Sequence, residues 1–182
     1  METIIYITLT IILLVILVII AKYNQLITLL NKVKKSSSNI EVYLKKRFDL
    51  IPNLVECVKG YSSYEKETLE SIISIRNNYD NHQNLSLDEA VKMNNQLNKY
   101  LAIVEKYPEL KANEQYIDLQ RKLSSIEDEL VHTRRTYNEE VTKYNTLIEQ
   151  VPSNIVASIF AFKKAELFQI SEETKENVKV KL

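Results

Sequence analysis

An all-α fold is predicted by three properties of this 182-residue chain. Glycine occurs once and proline three times, so few residues oppose continuous helix. Apolar residues recur every three or four positions over long stretches. No stretch long enough for a strand alternates between apolar and polar residues, as a half-buried strand does. The predicted architecture is an N-terminal transmembrane helix, a long antiparallel up-and-down four-helix bundle and a short C-terminal helix.

The N-terminal segment has the length and composition of a membrane anchor. Residues 4–21 carry no charged side chain, and as a helix they would extend roughly 27 Å, close to the ~30 Å hydrocarbon core of a bilayer. A cleaved signal peptide is the alternative, but no basic residue precedes this span and no Ala-x-Ala pattern follows it. We therefore predict an uncleaved anchor over residues 1–22. Its transmembrane positions include Ile4, Leu9, Leu13, Leu17 and Ala21.

The distribution of lysines predicts how the anchor is oriented. No lysine or arginine precedes the span, whereas four lysines follow it before the first acidic residue, Glu41. Because cationic flanks stay on the cytoplasmic side, we expect the N-terminus outside and the main domain in the cytoplasm. The single cysteine, Cys57, excludes an intramolecular disulfide framework.

Composition excludes most catalytic and binding motifs. One glycine cannot supply a dinucleotide-binding or phosphate-binding loop, and one cysteine cannot supply a Cys-x-x-Cys pair. Glu129 and His132 form one Glu-x-x-His pair, but di-iron bundles need a second pair, so a solvated helix face is favoured. The net charge of +0 argues against broad nucleic-acid binding. We expect no catalytic residue, cofactor, metal or small-molecule substrate, and therefore no enzyme.

Four helices are predicted after the anchor, over residues 22–59, 62–78, 87–106 and 114–150. Capping boxes favour two of the starts, at Ser62 and Ser86. The last helix is the longest, and its apolar positions alternate by three and four until Pro152. Pro108 ends the preceding helix near Lys106, because helix is disfavoured immediately before proline.

Two helix breakers stand close together in the first predicted helix. Because the apolar pattern continues through Pro52, we predict a kink there; the alternative places Asp49 as an N-cap and Pro52 in a new first turn. Gly60 suits the left-handed position beyond a helix end, so we predict a turn there. Its alternative is a glycine within one continuous helix against a closely packed neighbour.

Two clusters of polar residues receive structural interpretations. The basic run Lys45, Lys46 and Arg47 is interpreted as a solvated helix face. The pairs Tyr137–Asn138 and Tyr144–Asn145 lie seven residues apart and so share one helix face. They could form a strip that binds a ligand, but we favour tyrosine rings in the core with hydroxyls that reach polar partners.

The segment after Pro152 combines aromatic and basic residues. No charge occurs between residues 153 and 162, and phenylalanines flank two lysines. Such a segment suits a membrane interface, although the same phenylalanines could cap the open end of the bundle core, and both roles can hold together. Residues 171–182 are polar and are predicted to be a disordered tail. The candidate interface residues are Phe160, Phe162, Lys163, Lys164 and Phe168.

The chain resembles the LemA family over nearly its whole length. The resemblance rests on "LIPNLV", "YPELKAN", "YNEEVTKYN" and "PSN", in that order and spacing. It implies a single-pass protein of the bacterial inner membrane with a cytoplasmic helical bundle, here residues 23–170. It implies no enzyme, since the family has no agreed activity and no catalytic motif. Members of the family are often encoded beside genes for membrane metalloproteases, so the resemblance also implies a role in the cell envelope.

A membrane-anchored, non-enzymatic scaffold or adaptor is the function that these observations favour. The alternatives are a self-assembling protein that organises a membrane and an accessory factor to an envelope protease. The expected partners are the lipid bilayer and a second copy of the chain or another membrane protein.

Overall fold

The computed structural model describes residues 1–59, 66–81, 87–104 and 112–168. These ranges contain helices and no strand, so the predicted all-α class is confirmed. The arrangement as a four-helix bundle stays a prediction. The helices are α1 (Glu2–Phe48), α2 (Ile51–Lys59), α3 (Lys66–Asn81), α4 (Leu87–Val104), α5 (Glu114–Glu149) and α6 (Ser153–Ile159).

The chain divides into two compact units. One unit, here called the anchor unit, combines Met1–Ser36 with Arg134–Leu182. The other, here called the middle unit, is Ser37–Thr133. The anchor unit holds the apolar span and α6, whereas the middle unit holds α2, α3 and α4. The single bundle domain predicted over residues 23–170 stays a prediction.

Helix α1 begins with the predicted membrane span. Among the described residues it is the one helix long and apolar enough to cross a membrane, and none of its most apolar 18-residue window is buried. This exposure distinguishes the span from the core helix of a soluble protein. The hydroxyl of Thr10 donates to the carbonyl of Tyr6 at 2.8 Å, and Thr8 bonds back in the same way, so neither hydroxyl lacks a partner. All five predicted transmembrane positions are exposed: Ile4, Leu9, Leu13, Leu17 and Ala21.

A break separates α1 from α2 close to Pro52. Helix α1 ends at Phe48, and the amide of Leu54 donates to the carbonyl of Leu50 at 3.1 Å to open α2. Pro52 therefore lies in the first turn of α2, where a missing N–H removes no helical hydrogen bond. The structure thus shows a new first turn at Pro52, the alternative interpretation, instead of a kink inside one helix. The carbonyl that accepts the first bond belongs to Leu50 and not to Asp49.

The other predicted breaks divide between described and undescribed parts of the chain. Helix α5 ends at Glu149 and α6 begins at Ser153, so the predicted break at Pro152 is present. Gly60 and Pro108 lie outside the described residues, as do the capping residue Ser62 and the tail 171–182. The turn at Gly60, the stop at Pro108 and the disordered tail stay predictions.

Apolar side chains at helical spacing build the core of the middle unit. In α1 the buried positions follow the predicted stripe, and the ring of Phe48 stacks on Tyr79 of α3 with centroids 4.1 Å apart. Burying each such side chain contributes about 1.5–3 kcal/mol, so this stripe dominates the stability of the unit. The largest fully buried side chains of the middle unit, from α1 to α5, are Ile40, Leu44, Phe48, Leu54, Ile72, Leu97 and Leu130.

Arg47 is buried in this core, with 4% of its surface exposed. Its guanidinium donates to Oδ1 of Asn94 at 2.9 Å, pairs with the carboxylate of Glu127 and donates to the amide oxygen of Asn98. Asn94 is itself fully buried. A buried cation requires compensation of this kind, because an unpaired charge in a core is strongly destabilising.

The prediction of a solvated face for the basic run is therefore wrong for Arg47. Lys45 and Lys46 are exposed as predicted, but Arg47 points inward. It follows Leu44 by three positions and precedes Ile51 by four, so it occupies the apolar stripe. The spacing, and not the charge, was the informative signal.

Removing Glu127 should destabilise the protein much more than removing an exposed carboxylate on the same helix. Because Glu127 is about a third exposed, we expect Glu127→Ala to lower the free energy of unfolding by about 2–3 kcal/mol, somewhat less than for a fully buried pair. The control is Asp118→Ala, whose ion pair with Lys122 is 59% exposed on both sides and should contribute under about 1 kcal/mol. Chemical denaturation in detergent measures both. Equal losses in the two variants would contradict a stabilising role for the buried pair.

Candidate functional site

The anchor unit joins the end of the apolar span to α5 and α6 through one buried cluster. Side chains from all three helices contribute, and Ile19 near the end of the span packs against them. This packing holds α6 beside the part of α1 that immediately follows the span. The buried members are Leu26, Val33, Val141, Tyr144, Leu147, Val156 and Ala157.

Aromatic rings extend this cluster to the level where the span ends. Tyr23, two residues beyond the charge-free run, contacts the rings of Phe160 at 4.7 Å and Phe162 at 5.7 Å between centroids. Phe162 is half-buried against the core cluster, whereas Phe160 remains 50% exposed. The two phenylalanines therefore differ, since one faces the core and the other also faces solvent.

Helix α6 is amphipathic although it is short. Ser153, Val156 and Ala157 are buried on one side. On the other side Ile155 and Ile159 are 58% and 64% exposed. Together with Phe160 they form an exposed apolar surface, here called the apolar ridge. The exposed Lys163 and Lys164 follow it after Ala161 and Phe162.

Residues 162–168, here called the strap, leave α6 and lie along α5 without helix of their own. Every third side chain is half-buried, at Phe162, Ala165 and Phe168, while the four between them are exposed. A period of three is typical of the extended polyproline II conformation. A segment of this kind forms no internal hydrogen bonds, so its backbone needs partners elsewhere.

The pair Tyr144–Asn145 of α5 binds the beginning of the strap. The hydroxyl of Tyr144 donates to the carbonyl of Lys163 at 3.0 Å. The side-chain amide of Asn145 donates to the carbonyl of Ala165 at 2.8 Å and accepts from its N–H at 2.9 Å. Asn145 therefore pairs with one backbone unit as a neighbouring strand would.

The pair Tyr137–Asn138 repeats this pattern at the end of the strap. The hydroxyl of Tyr137 donates to the carbonyl of Glu166 at 3.0 Å. The amide of Asn138 donates to the carbonyl of Phe168 at 3.0 Å and accepts from its N–H at 2.7 Å. The guanidinium of Arg134 lies over the ring of Phe168, 5.0 Å from the centroid. Both ends of the strap are therefore held by α5.

These contacts resolve what the Tyr-Asn pairs do. Tyr144 is 1% exposed with its hydroxyl on a polar partner, as the favoured interpretation predicted. The sequence reasoning missed the role of Asn138 and Asn145, which make the bidentate contacts. The signal was the repetition of the Tyr-Asn pair after seven residues, which places both pairs on one helix face.

The middle unit contains a cavity of about 440 Å³ beside the buried arginine. Its lining mixes Arg47 and Glu127, already paired with each other, with uncharged polar side chains such as Gln120 and Ser124.

Burial raises the pKa of the Cys57 thiol, and the nearby Glu56 raises it further. A raised pKa lowers the thiolate fraction, so Cys57 lacks the environment of a reactive cysteine. Within the described ranges, no three His, Cys, Asp or Glu side chains lie close enough together to hold a metal ion.

Comparison with known proteins decides the family. The model of the LemA family matches residues 36–182, most of the chain. The chain belongs to the LemA family. It is 29% identical to Protein LemA of Metamycoplasma hominis, over 85% of this chain and 72% of that protein.

Other relatives of this chain are magnetosome proteins. MamQ 2 of Paramagnetospirillum magneticum is 24% identical over 81% of this chain and 65% of the relative. MamQ of Magnetospirillum gryphiswaldense is 22% identical over 81% of this chain and 64% of the relative. The chain thus spans just under two thirds of the length of these magnetosome proteins. Family membership and the candidate spanning helix together fit a membrane-associated protein.

The buried hydroxyl of Tyr144 should make the protein less stable at alkaline pH. Burial raises the pKa of Tyr144 in the folded protein, so the unfolded chain ionises first, near pH ~10. The contribution of the protonated Tyr144 hydroxyl to the free energy of unfolding is complete below that pH. It is lost as the pH rises through the pKa of Tyr144 in the folded protein. Tyr144→Phe should cost about 1 kcal/mol at neutral pH through the lost bond to Lys163. The melting temperature should fall less steeply in the variant between about pH 9 and about pH 11. Parallel curves for the two proteins would contradict this role.

Proposed function

We propose that this LemA-family protein is a membrane-anchored, non-enzymatic helical scaffold of the bacterial inner membrane with its main domain in the cytoplasm. The observation that carries the proposal is the aromatic cluster of Tyr23, Phe160 and Phe162, which ties the C-terminal segment to the end of the apolar span. Through this cluster the anchor unit has two contacts with the bilayer, the span itself and the apolar ridge of α6.

The second contact is supported by the composition and exposure of the ridge. Ile155, Ile159 and Phe160 are each half exposed or more, and transferring such side chains out of water is favourable by about 25 cal/mol for each Å² of apolar surface. Lys163 and Lys164 follow the ridge, and a lysine near an anionic lipid surface contributes about 1 kcal/mol. Apolar side chains beside lysines are typical of helices that lie in the membrane interface.

Attachment at two points has a mechanical consequence that suits a scaffold. A single spanning helix can rotate about its own axis, and everything attached to it rotates too. If α6 rests on the lipid surface, rotation and tilt of the anchor unit are restricted. The unit would then present a defined face to its partners, which is what a scaffold needs.

The names of the relatives and the composition of the chain support a non-enzymatic role. The relatives carry names that do not refer to a reaction. The composition lacks phosphate-binding, dinucleotide-binding and paired-cysteine motifs. A second candidate, a self-assembling protein that organises a membrane, is supported by the relatives named as magnetosome proteins, because that name refers to a cellular structure.

A fluorophore on α6 should report the lipid contact. The probe is an environment-sensitive dye on Ser158→Cys, an exposed position beside Ile155 and Ile159, in full-length Cys57→Ser protein reconstituted in vesicles with anionic lipid. We expect the emission of the attached dye to be shifted to the blue relative to the free dye in water, because the ridge would lie in the membrane interface. The additional change Ile159→Glu should remove the shift.

The matched control places the dye at the exposed Glu139 of α5, in the same unit. That position should show no blue shift in the same vesicles. A shift of equal size at both positions, or none at Ser158, would mean that α6 does not contact lipid.

The proposed orientation predicts the activity of reporters fused after Leu182. Alkaline phosphatase, which is active only outside the cytoplasm, should be inactive there, and a cytoplasm-active fluorescent protein should be bright. This expectation follows from the lysines on one side of the span. An active phosphatase fusion would reverse the orientation. The phosphatase fused to a standard exported protein verifies that the reporter works.

A further inference from the structure

The two Tyr-Asn pairs of α5 recognise a repeat in the backbone of the strap. Each tyrosine bonds the carbonyl of one strap residue, and each asparagine bonds both the N–H and the carbonyl of the residue two positions later. The pattern begins at residue 163 for Tyr144 and at residue 166 for Tyr137. A shift of seven residues on α5 thus corresponds to a shift of three on the strap.

Helical and extended geometry explain this correspondence. Seven residues of α-helix rise roughly 10.5 Å, and three residues of polyproline II rise roughly 9.3 Å, so the two repeats nearly match. Tyr137, Asn138, Tyr144 and Asn145 therefore form a preformed site for a backbone with three residues per turn. We call these four residues the cradle.

The cradle binds backbone atoms, so its selectivity does not come from the exposed strap side chains. Lys163, Lys164, Glu166 and Leu167 face solvent, and only every third residue turns inward. Any segment with the same conformation and the same inward residues satisfies the cradle equally well. The strap of a second copy of this chain meets these conditions by identity.

The connection between α6 and the strap offers a place where the strap can change direction. Ala161 has φ 54°, in the left-handed region, which is uncommon for a residue other than glycine and costs about 1 kcal/mol or more. The buried residues of α6 all precede this position. If Ala161 adopts an ordinary extended conformation, the strap swings away while α6 remains packed in its cluster.

We propose that the strap is exchanged between copies, so that the strap of one chain occupies the cradle of its neighbour and links the two. Exchange replaces each intramolecular hydrogen bond with an identical intermolecular one and relieves the conformation of Ala161. The apolar span confines the copies to one bilayer plane, which raises their effective concentration and favours exchange. This goes beyond the proposed scaffold function, since it names the partner and the surface.

Cross-linking between two single-cysteine chains tests the exchange. Lys164 of the strap pairs with Glu149 of α5, and both side chains are more than half exposed. In the Cys57→Ser background, one tagged chain carries Glu149→Cys and a differently tagged chain carries Lys164→Cys. The full-length chains are produced together in bacterial membranes and treated with a short bismaleimide. Each chain has a single cysteine and cannot form an internal link. A product with both tags therefore requires the strap of one copy on the α5 of another.

We expect the doubly tagged product, and we expect it to depend on the cradle. Asn138→Ala with Asn145→Ala in the Glu149→Cys chain should lower its yield about tenfold, since four hydrogen bonds to the strap are lost. Tyr137→Phe with Tyr144→Phe keeps both rings and should lower the yield several-fold. This conservative pair guards against an asparagine variant that fails to fold, which its melting curve would reveal.

Two results would overturn the proposal. The first is no doubly tagged product although a chain carrying both Glu149→Cys and Lys164→Cys links internally, which would keep the strap in its own copy. The second is an equal yield when Lys122→Cys, an exposed position of α5 in the middle unit, replaces Glu149→Cys, which would show random collision. Neither result would alter the lipid contact proposed for α6, because that contact is measured by fluorescence.

Discussion

A backbone that leaves a helix must find other partners for its N–H and carbonyl groups, and the path of residues 162–168 depends on how that requirement is met. Residues 162–168 form neither helix nor sheet, so side chains of α5 take the place of a neighbouring strand. Asn138 and Asn145 are suited to this because an amide side chain has the donor and the acceptor of a peptide unit in nearly the same geometry. Through these bonds the strap is held along α5, and Phe162 at its start is held against Tyr23.

The middle unit satisfies a buried polar group by a different arrangement. There a cation lies in an apolar stripe, and Glu127, Asn94 and Asn98 converge on it from α4 and α5. An apolar residue of similar size would often be at least as stable, so such a network is better explained by the precision with which it aligns helices. Several directional bonds must form together, and they are compatible with one register of α4 and α5 against Arg47.

Much of the fold followed from periodicity. The bounds of α5 were predicted to within one residue, because its apolar repeat is long and ends at Pro152. The span was evident from eighteen uncharged residues. The break at Pro52 was misassigned, since an uninterrupted apolar phase fits both a kinked helix and two successive ones. The contacts between the strap and the cradle could not be predicted from apolar periodicity, because they join side chains to backbone atoms 19 to 30 residues away. Arg47 was predictable in principle from its position on the stripe.

The docking of the strap through its backbone leaves four of its side chains outside the interface. Replacement of Lys163, Lys164, Glu166 or Leu167 changes the charge and polarity beside the apolar ridge but leaves the hydrogen bonds of the cradle in place. Ala165 is different, since its side chain is half-buried against the core cluster and its backbone makes both bonds to Asn145. The sequence of this surface can therefore change while the path of the chain stays the same, so the charge and polarity beside the apolar ridge can vary without a change of fold.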